Sequence, residues 1–176
     1  AYHDVLTGLP NRALFNDRMR QSVSQAKRDK TQFAVCFIDL DGFKAVNDQQ
    51  GHAAGDCLLK QVADRLRVCV REVDTVARLG GDEFVVLLRD THDENDLSNI
   101  AKKIIQRLAS DFKLDSAVVK ISASIGISCY PSDAQSVEKL MQCADEAMYH
   151  AKHTGKNCYV FWRSNAGYAA AIDWQI

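Results

Sequence analysis

The chain has 176 residues, of which 47% are hydrophobic, and its formal net charge is −1. This length and apolar content are those of one domain with a substantial core. The near-neutral charge excludes a global basic field that would draw the chain to nucleic acid or to an anionic membrane. Because no apolar run could cross a bilayer and no signal-peptide pattern opens the chain, we expect a cytoplasmic domain, alone or within a larger protein.

The first half of the chain predicts two helices and a strand. A helix runs from an N-cap at Asn11 to about Arg28, and a buried strand runs from Gln32 to about Asp39. A polar loop containing glycine follows the strand. Asp56 then opens a second helix, whose apolar residues recur at the i, i+3, i+4 and i+7 positions.

The second half predicts a hairpin, two further helices and two strands. The short strands DTVARL and EFVVLL meet at a Gly-Gly-Asp-Glu turn, which is a hairpin signal. An amphipathic helix over residues 93–109 precedes a long alternating strand over residues 118–130. A helix over residues 136–153, a strand over residues 158–162 and a weakly patterned tail over residues 163–176 complete the chain.

The middle of the chain therefore has the order βαββαβ. This order predicts an α+β, ferredoxin-like fold with an antiparallel central sheet and helices on one face. The first helix and the last helix and strand are additions to that core. In this arrangement the first strand neighbours the hairpin, so Asp39 would approach Asp82 and Glu83.

The six cysteines are scattered and include no C-x-x-C pair. Most lie in apolar stretches, which favours small buried side chains in a reducing compartment over a zinc site. Their positions are Cys36, Cys57, Cys69, Cys129, Cys143 and Cys158.

The acidic residues of FIDLDGFK and of the hairpin turn have two interpretations. An acid at a strand end is often a turn former, and an exposed acid pair is usually solvated. Carboxylates converging from adjacent strands instead suit Mg²⁺, which shares its shell with water and substrate phosphates. Such a site supports phosphoryl transfer.

A calcium loop is excluded for DLDGFKAVNDQQ. Gly42 is the fourth residue of this segment where a calcium loop has glycine at the sixth, and Gln50 stands where a bidentate glutamate is needed. We also expect none of the five histidines to be a metal ligand.

Polar residues after the first strand suggest a nucleotide. The amides of Gly42 and Phe43 with the ammonium of Lys44 could cradle a phosphate. Asn47 and Asp56 could read a guanine edge, or could be turn and helix-cap residues. The residues alone thus favour a Mg²⁺-dependent, nucleotide-using domain.

Five ordered segments make the chain resemble one family. They are DVLTGLPNR, DLDGFKAVNDQQGHAAGD, RLGGDEF, SIGIS and ADEAMYHAKHTGKN. Together they resemble the GGDEF family of bacterial diguanylate cyclases, whose fold is like that of nucleotide cyclases and polymerase palms. The resemblance covers about residues 4–162, so we expect a catalytic domain over residues 1–162 and a tail or linker over residues 163–176.

The resemblance implies a reaction and a set of residues. Two GTP molecules would condense into cyclic di-GMP and two pyrophosphates, with Mg²⁺ or Mn²⁺ as cofactor. The implied catalytic and metal-binding groups are Asp39, Asp82, Glu83 and the Leu40 carbonyl. The implied substrate-binding residues are Gly42, Phe43, Lys44, Asn47, Asp56, Gly80, Gly81, Lys152 and Lys156.

One of these positions departs from the family pattern. Lys156 stands where many members have arginine, so a point charge replaces a bidentate fork. This change affects phosphate affinity without predicting inactivity.

An Arg-x-x-Asp motif, Arg71 to Asp74, lies six residues before Gly80. Arginine and aspartate near a helix end are common, so the motif alone is weak. At this spacing the resemblance implies an inhibitory site for the product, because arginine binds phosphate or guanine bidentately and aspartate accepts from guanine nitrogens.

The resemblance also implies partners. The product has two equivalent phosphodiester links, so two domains would face each other in a homodimer. An upstream sensory segment would raise the effective concentration of the two sites. The alternatives to an active cyclase are a silent GTP-binding module and a cyclic di-GMP receptor within a larger signalling protein.

Overall fold

A computed structural model describes residues 1–115 and 117–163, with the backbone of residues 172 and 173. The helices of this described part are α1 (Arg12–Asp29), α2 (Phe43–Gln50), α3 (His52–Cys69), α4 (Glu94–Ala109) and α5 (Val137–His153). Its strands are β1 (Phe33–Asp41), β2 (Thr75–Gly80), β3 (Glu83–Leu88), β4 (Phe112–Lys113), β5 (Val118–Val119), β6 (Ser122–Tyr130), β7 (Cys158–Phe161) and β8 (Ile172–Asp173).

The main sheet has the strand order β2-β3-β1-β6-β7-β8. The four strands of the βαββαβ core, β2, β3, β1 and β6, pair antiparallel as predicted. The added strand β7 pairs parallel to β6, which makes the whole sheet mixed. The sequence prediction of an α+β core with an extra first helix and a final helix and strand is confirmed.

Helices cover both faces of the sheet because β1 is apolar on both sides. Its residues Ala34, Cys36 and Ile38 belong to a core cluster that includes the apolar faces of α3 and α4. The alternate residues Phe33 and Val35 belong to a second cluster with α1 and α5. The core helices therefore lie on one face, as predicted, and the two additional helices lie on the other.

Side-chain caps define three helix starts that the sequence predicts. The Asn11 side chain accepts from the Leu14 amide at 3.1 Å and begins α1. Asp93 and Ser136 cap α4 and α5 in the same way. Each cap satisfies an amide that has no partner inside the helix.

The prediction of a loop between β1 and α3 is wrong, because most of this segment forms the helix α2. This helix packs on the core through Phe43 and Val46, and Gly42 and Gly51 flank it in positive-φ conformations. Asp56 does not open the next helix, which begins at His52 and places Asp56 one turn inside it. A short, polar helix between glycines is hard to distinguish from a loop by periodicity.

The predicted single strand over residues 118–130 is two strands. Val119 pairs with Phe112 in a separate two-stranded sheet, whereas Ser122 pairs with Asp41 in the main sheet. Asp41 is the last residue of β1 and pairs with Ser122, so the pairing of β1 with β6 ends there. The predicted strand ending at Asp39 likewise continues to Asp41, and most of the predicted tail lies outside the described residues.

Gly126 of the SIGIS segment lets α5 lie directly on β6. A Cβ atom there would stand 2.1 Å from both the Ala144 carbonyl oxygen and the Met148 amide nitrogen. Only glycine permits this approach, which positions the later turns of α5 over the sheet.

Four of the six cysteines are buried, as predicted, and Cys57 and Cys129 are partly buried. In the part of the chain that the structure describes, we find no helix that is long and apolar enough to cross a membrane.

Candidate active site

The acidic residues predicted from separate segments converge at one end of the main sheet. The register of β1 and β3 places Asp39 directly opposite Glu83. The Leu40 amide donates to the Asp82 carbonyl oxygen at 3.3 Å, so the hairpin turn lies against the end of β1. The structure therefore brings Asp39, Leu40, Asp82 and Glu83 together.

Two glycines give the hairpin turn its shape. Gly80 has φ of 144° and Gly81 has φ of 51°, conformations that side chains disfavour. A Cβ atom at either position would meet no heavy atom within 4 Å. The turn thus presents bare backbone to open space beside the carboxylates.

The Asp39 carboxyl is in an environment that disfavours a lone negative charge. Burial, followed by the negative charge of Asp82, raises the pKa of Asp39 to about 6. Its Oδ1 atom is buried and has no hydrogen-bond partner among the described residues. Burial, followed by the charges of Asp145 and Asp82, also raises the pKa of Glu83.

Lys152 of α5 reaches the same end of the sheet. Its Nζ atom lies 2.9 Å from Asp41 Oδ1 and 3.4 Å from Asp39 Oδ2, and it donates to the Leu40 carbonyl at 3.0 Å. Although burial would lower it, the pKa of Lys152 is raised because the carboxylates of Asp41 and Asp39 stabilise the ammonium. A predicted phosphate-binding cation therefore lies among the predicted metal ligands.

The donor set suits a hard divalent cation. Within the described ranges, no three His, Cys, Asp or Glu side chains already form a metal-ligating group. The candidate ligand groups are the Asp39 and Asp82 carboxylates, with Glu83 beside them, and the Leu40 carbonyl, which Lys152 already contacts. Mg²⁺ fits such a set, because it uses one or two carboxylates and fills its shell with water and substrate phosphates. The Asp39 Oδ1 atom, which has no hydrogen-bond partner among the described residues, has the chemistry of a ligand atom for such a cation.

A second group of predicted residues lies where α2 meets α3. The Asn47 Oδ1 atom is buried without a hydrogen-bond partner in the described part of the chain. A Cβ atom at Gly55 would stand 1.7 Å from it, so this glycine makes room for the Asn47 side chain. Asp56 follows Gly55 and is exposed. The arrangement therefore has one unpartnered buried acceptor, which lies against Gly55, next to one exposed carboxylate.

The remaining predicted phosphate-binding residues lie at the start of α2 and in the turn after α5. Gly42, with φ of 88°, is the N-cap of α2, and Phe43 is its first residue. The side chains of Lys44 and Lys156 are exposed. Lys156 lies in the turn after α5, where its amide donates to the Ala151 carbonyl at 3.0 Å.

The Arg71–Asp74 motif lies at the other end of β2 from the glycine turn. The six residues of β2 separate the two sites by about 20 Å at the usual rise of a strand. The Asp74 side chain is fully buried and accepts from the Arg71 Nε and Nη2 atoms and from the Arg89 amide. The Arg71 side chain is 52% exposed, so it is accessible to a ligand.

Sequence reasoning counted Asp41 only among the acidic residues of FIDLDGFK and gave Arg78 no role, yet both residues hold this site. Asp41 is buried and contacts Lys152, and Arg78 donates to the Gly81 carbonyl through two guanidinium nitrogens. The sequence feature that could have identified Asp41 is its spacing of two residues from Asp39, because this spacing places both side chains on the same face of β1. Its partners Ser122 and Ser124 are too distant in sequence to be inferred.

Comparison with protein families gives one extensive match. The model described as "Diguanylate cyclase, GGDEF domain" matches residues 1–158. The chain is 52% identical over 165 residues to MucR of Pseudomonas aeruginosa, a bifunctional diguanylate cyclase/cyclic di-GMP phosphodiesterase. This alignment covers 94% of the present chain and 24% of MucR. It is 46% identical over 157 residues to the diguanylate cyclase TpbB of the same species, covering 89% of this chain and 36% of TpbB.

Solved structures agree with this match. The GGDEF domain of TpbB from Pseudomonas aeruginosa has a TM-score of 0.89 at 43% identity, covering 92% of this chain and 94% of that one. The GGDEF domain of DgcB from Caulobacter crescentus, solved in complex with cyclic di-GMP, has a TM-score of 0.84 at 26% identity, covering 92% and 95%. The chain spans about a quarter to a third of the length of the curated relatives MucR and TpbB.

Proposed function

Because this chain belongs to the GGDEF domain family of diguanylate cyclases, we propose that it condenses two GTP molecules into cyclic di-GMP. In each half-reaction, a ribose 3′-oxygen loses its proton and bonds to the α-phosphorus of the other GTP. The bond from that phosphorus to the bridging oxygen breaks, and pyrophosphate leaves. The observation that carries this proposal is the convergence of Asp39, Asp82 and Glu83 beside Lys152.

The acidic end of the sheet is the proposed catalytic centre. Mg²⁺, or Mn²⁺, bound by Asp39, Asp82, Glu83 and the Leu40 carbonyl would stabilise the charge that develops on the phosphate oxygens. Glu83 would contribute to this metal binding or help activate the 3′-hydroxyl by accepting its proton. Gly80 and Gly81 let the backbone approach the nucleotide without side-chain interference.

Positioning of GTP is assigned to two sets of residues. Asn47 and Asp56 would bind the guanine edge, and Gly55 leaves the space that Asn47 needs. The residues proposed to bind the triphosphate are Gly42 and Phe43 through their amides and Lys44, Lys152 and Lys156 through their ammonium groups. Holding both ends of GTP aligns the α-phosphorus for in-line attack.

Catalysis would need two copies of the domain. Each copy holds one GTP, and the two-fold symmetry of the product requires the copies to face each other. A linked upstream segment would supply the local concentration for this contact. The greater length of MucR and TpbB supports a multidomain context.

Product inhibition is proposed at Arg71 and Asp74. Asp74 is buried and holds Arg71 by two hydrogen bonds, which leaves the exposed guanidinium oriented for a phosphate or a guanine. The DgcB domain, which has the same fold, was solved with cyclic di-GMP, and this supports binding of that product by the fold.

The deciding experiment measures GTP turnover with Mg²⁺ on this chain fused to a parallel coiled-coil dimeriser. We expect cyclic di-GMP, identified by mass, and none from an Asp82→Ala control. If dimerisation and GTP binding are verified and no product forms, the cyclase proposal is wrong. The domain would then be a silent nucleotide-binding module.

A further inference from the structure

We propose that Asp41 is a positioning residue whose carboxylate fixes Lys152 and the turn that carries Lys156. This inference rests on the proposed function, because it concerns the two lysines that function assigns to the triphosphate. Asp41 itself would touch neither the nucleotide nor the metal.

The four contacts of Asp41 exclude it from direct ligand binding. It is 5% exposed, although it lies at the sheet end where the catalytic carboxylates converge. Its Oδ1 atom accepts from Ser124 Oγ at 2.8 Å and pairs with Lys152 Nζ at 2.9 Å. Its Oδ2 atom accepts from Ser122 Oγ at 2.7 Å and from the Asn157 amide at 3.1 Å. These four donors use the acceptor capacity of a carboxylate, which has about four lone-pair sites.

Asp39 provides the contrast on the same face of β1. Its Oδ1 atom has no hydrogen-bond partner in the described part of the chain, so this carboxylate keeps unused acceptor capacity. Asp41, two residues later, has no such free oxygen. The strand β1 therefore carries Asp39, which has an oxygen without a hydrogen-bond partner, and Asp41, whose two oxygens both bind donors of the protein.

The first consequence concerns Lys152. The Lys152 ammonium forms an ion pair with Asp41 at the end of β1, and its side chain is 24% exposed. The 2.9 Å contact to Asp41 is shorter than the 3.4 Å contact to Asp39. Asp41 thus supplies the closer counter-charge, which fixes the ammonium in place.

The second consequence concerns the turn after α5. Lys156 and Asn157 have φ of 59° and 49°, a left-handed conformation that costs about 1 kcal/mol or more per residue. Among the hydrogen bonds of this turn, the Lys156 amide donates to the Ala151 carbonyl and the Asn157 amide donates to Asp41. Asp41 therefore fixes the backbone from which the Lys156 side chain extends.

The test separates phosphate binding from guanosine binding. Dissociation constants for a non-reacting GTP analogue and for GMP are measured by calorimetry, with Mg²⁺ and in EDTA, for the wild-type chain and Asp41→Asn. Asparagine keeps the shape of the side chain and removes the charge. We expect affinity for the GTP analogue to fall tenfold or more, whereas affinity for GMP changes less than twofold.

Two further measurements assign the effect to the lysines. In a Lys152→Ala/Lys156→Ala background, Asp41→Asn should weaken the GTP analogue less than twofold, because the groups through which Asp41 acts are absent. A Ser122→Ala/Ser124→Ala control keeps the carboxylate and should change affinity less than threefold. If Asp41→Asn does not fold, Asp41→Glu, which keeps a displaced charge, should still weaken the GTP analogue more than GMP.

Equal losses for both nucleotides, or an undiminished loss in the double-lysine background, would overturn the inference. Failure of the proposed function would be seen in a different experiment, in which the dimerised wild-type protein would form no cyclic di-GMP from GTP.

Discussion

Arg78 connects the Asp4 carboxylate to the carbonyl of Gly81. Its Nη1 atom lies 3.0 Å from Asp4 Oδ1, and its Nε and Nη2 atoms donate to the Gly81 oxygen at 3.1 and 2.9 Å. One guanidinium thus ties the DVLTGLPNR segment to the turn that carries Asp82 and leads into Glu83. Both side chains are mostly buried, which protects the pair from solvent screening.

Replacing Arg78 should therefore loosen the turn. We expect Arg78→Ala to lower the free energy of unfolding by about 2–3 kcal/mol, since it removes charged hydrogen bonds and leaves Asp4 unpaired. GTP turnover should fall at least tenfold. Urea denaturation and initial rates measure the two effects. Asp4→Asn, which keeps the bonds to Gly81, is the matched control and should reduce turnover less; equal turnover in Arg78→Ala and wild type would contradict this prediction.

Gly55 should be required for guanine selectivity. Gly55→Ala places a methyl group at the position that Asn47 Oδ1 occupies, 1.7 Å from the added Cβ atom. The Asn47 side chain must move, so we expect the preference for GTP over ATP to fall about tenfold, as measured by competition binding.

A double-mutant cycle controls for general damage to the helix. In an Asn47→Ala background, Gly55→Ala should have little further effect on selectivity, because the displaced group is gone. An equally large effect in both backgrounds would show that Gly55 acts independently of Asn47.

The Asp39 carboxyl should make stability depend on pH. Its pKa in the folded protein is about 6 against an ordinary value of 3.8, so between these values the folded state binds the extra proton. Stability is therefore lost as the pH rises through this window. The shift corresponds to roughly 3 kcal/mol, and we expect about half because solvent reaches part of the carboxyl.

Asp39→Asn removes this titration. In metal-free buffer, the wild-type protein should lose about 1–2 kcal/mol of unfolding free energy between pH 4 and pH 7 that the Asp39→Asn variant does not lose. Urea denaturation at both pH values measures this difference. The exposed Asp115 provides the control Asp115→Asn, which should keep the wild-type pH dependence. The same pH dependence in wild type and Asp39→Asn would contradict the assignment.

Arg71→Ala should separate product inhibition from catalysis. The Arg71 side chain is 52% exposed and lies about 20 Å from the glycine turn, so its loss should leave the initial rate within about twofold. The inhibition constant for cyclic di-GMP should rise at least tenfold. The matched control is Arg20→Ala, an exposed arginine on α1.

Asp74 is the less informative residue of this pair. Its buried carboxylate accepts from the backbone and side chain of Arg71 and from the Arg89 amide, so Asp74→Ala should unfold part of the domain. If cyclic di-GMP inhibited the Arg71→Ala variant as strongly as the wild-type protein, the proposed inhibitory site would be wrong.

Long, strongly periodic elements were predictable from the sequence. The helices α1, α4 and α5 each have an apolar stripe and a side-chain cap, and these local features depend only on nearby residues. The hairpin was predictable because paired glycines mark its turn. The short helix α2 was missed because two apolar anchors between glycines are too weak a periodic signal.

The sequence by itself determined the order of elements, the family and the acidic residues of the candidate site. Only the tertiary structure decided which groups are free to bind a ligand. Asp39 and Asp41 look equivalent in FIDLDGFK, yet one keeps an unpartnered oxygen and the other is engaged by Ser122, Ser124 and Lys152. These partners come from β6 and α5, more than eighty residues away, and no local pattern encodes contacts that depend on strand register and helix packing.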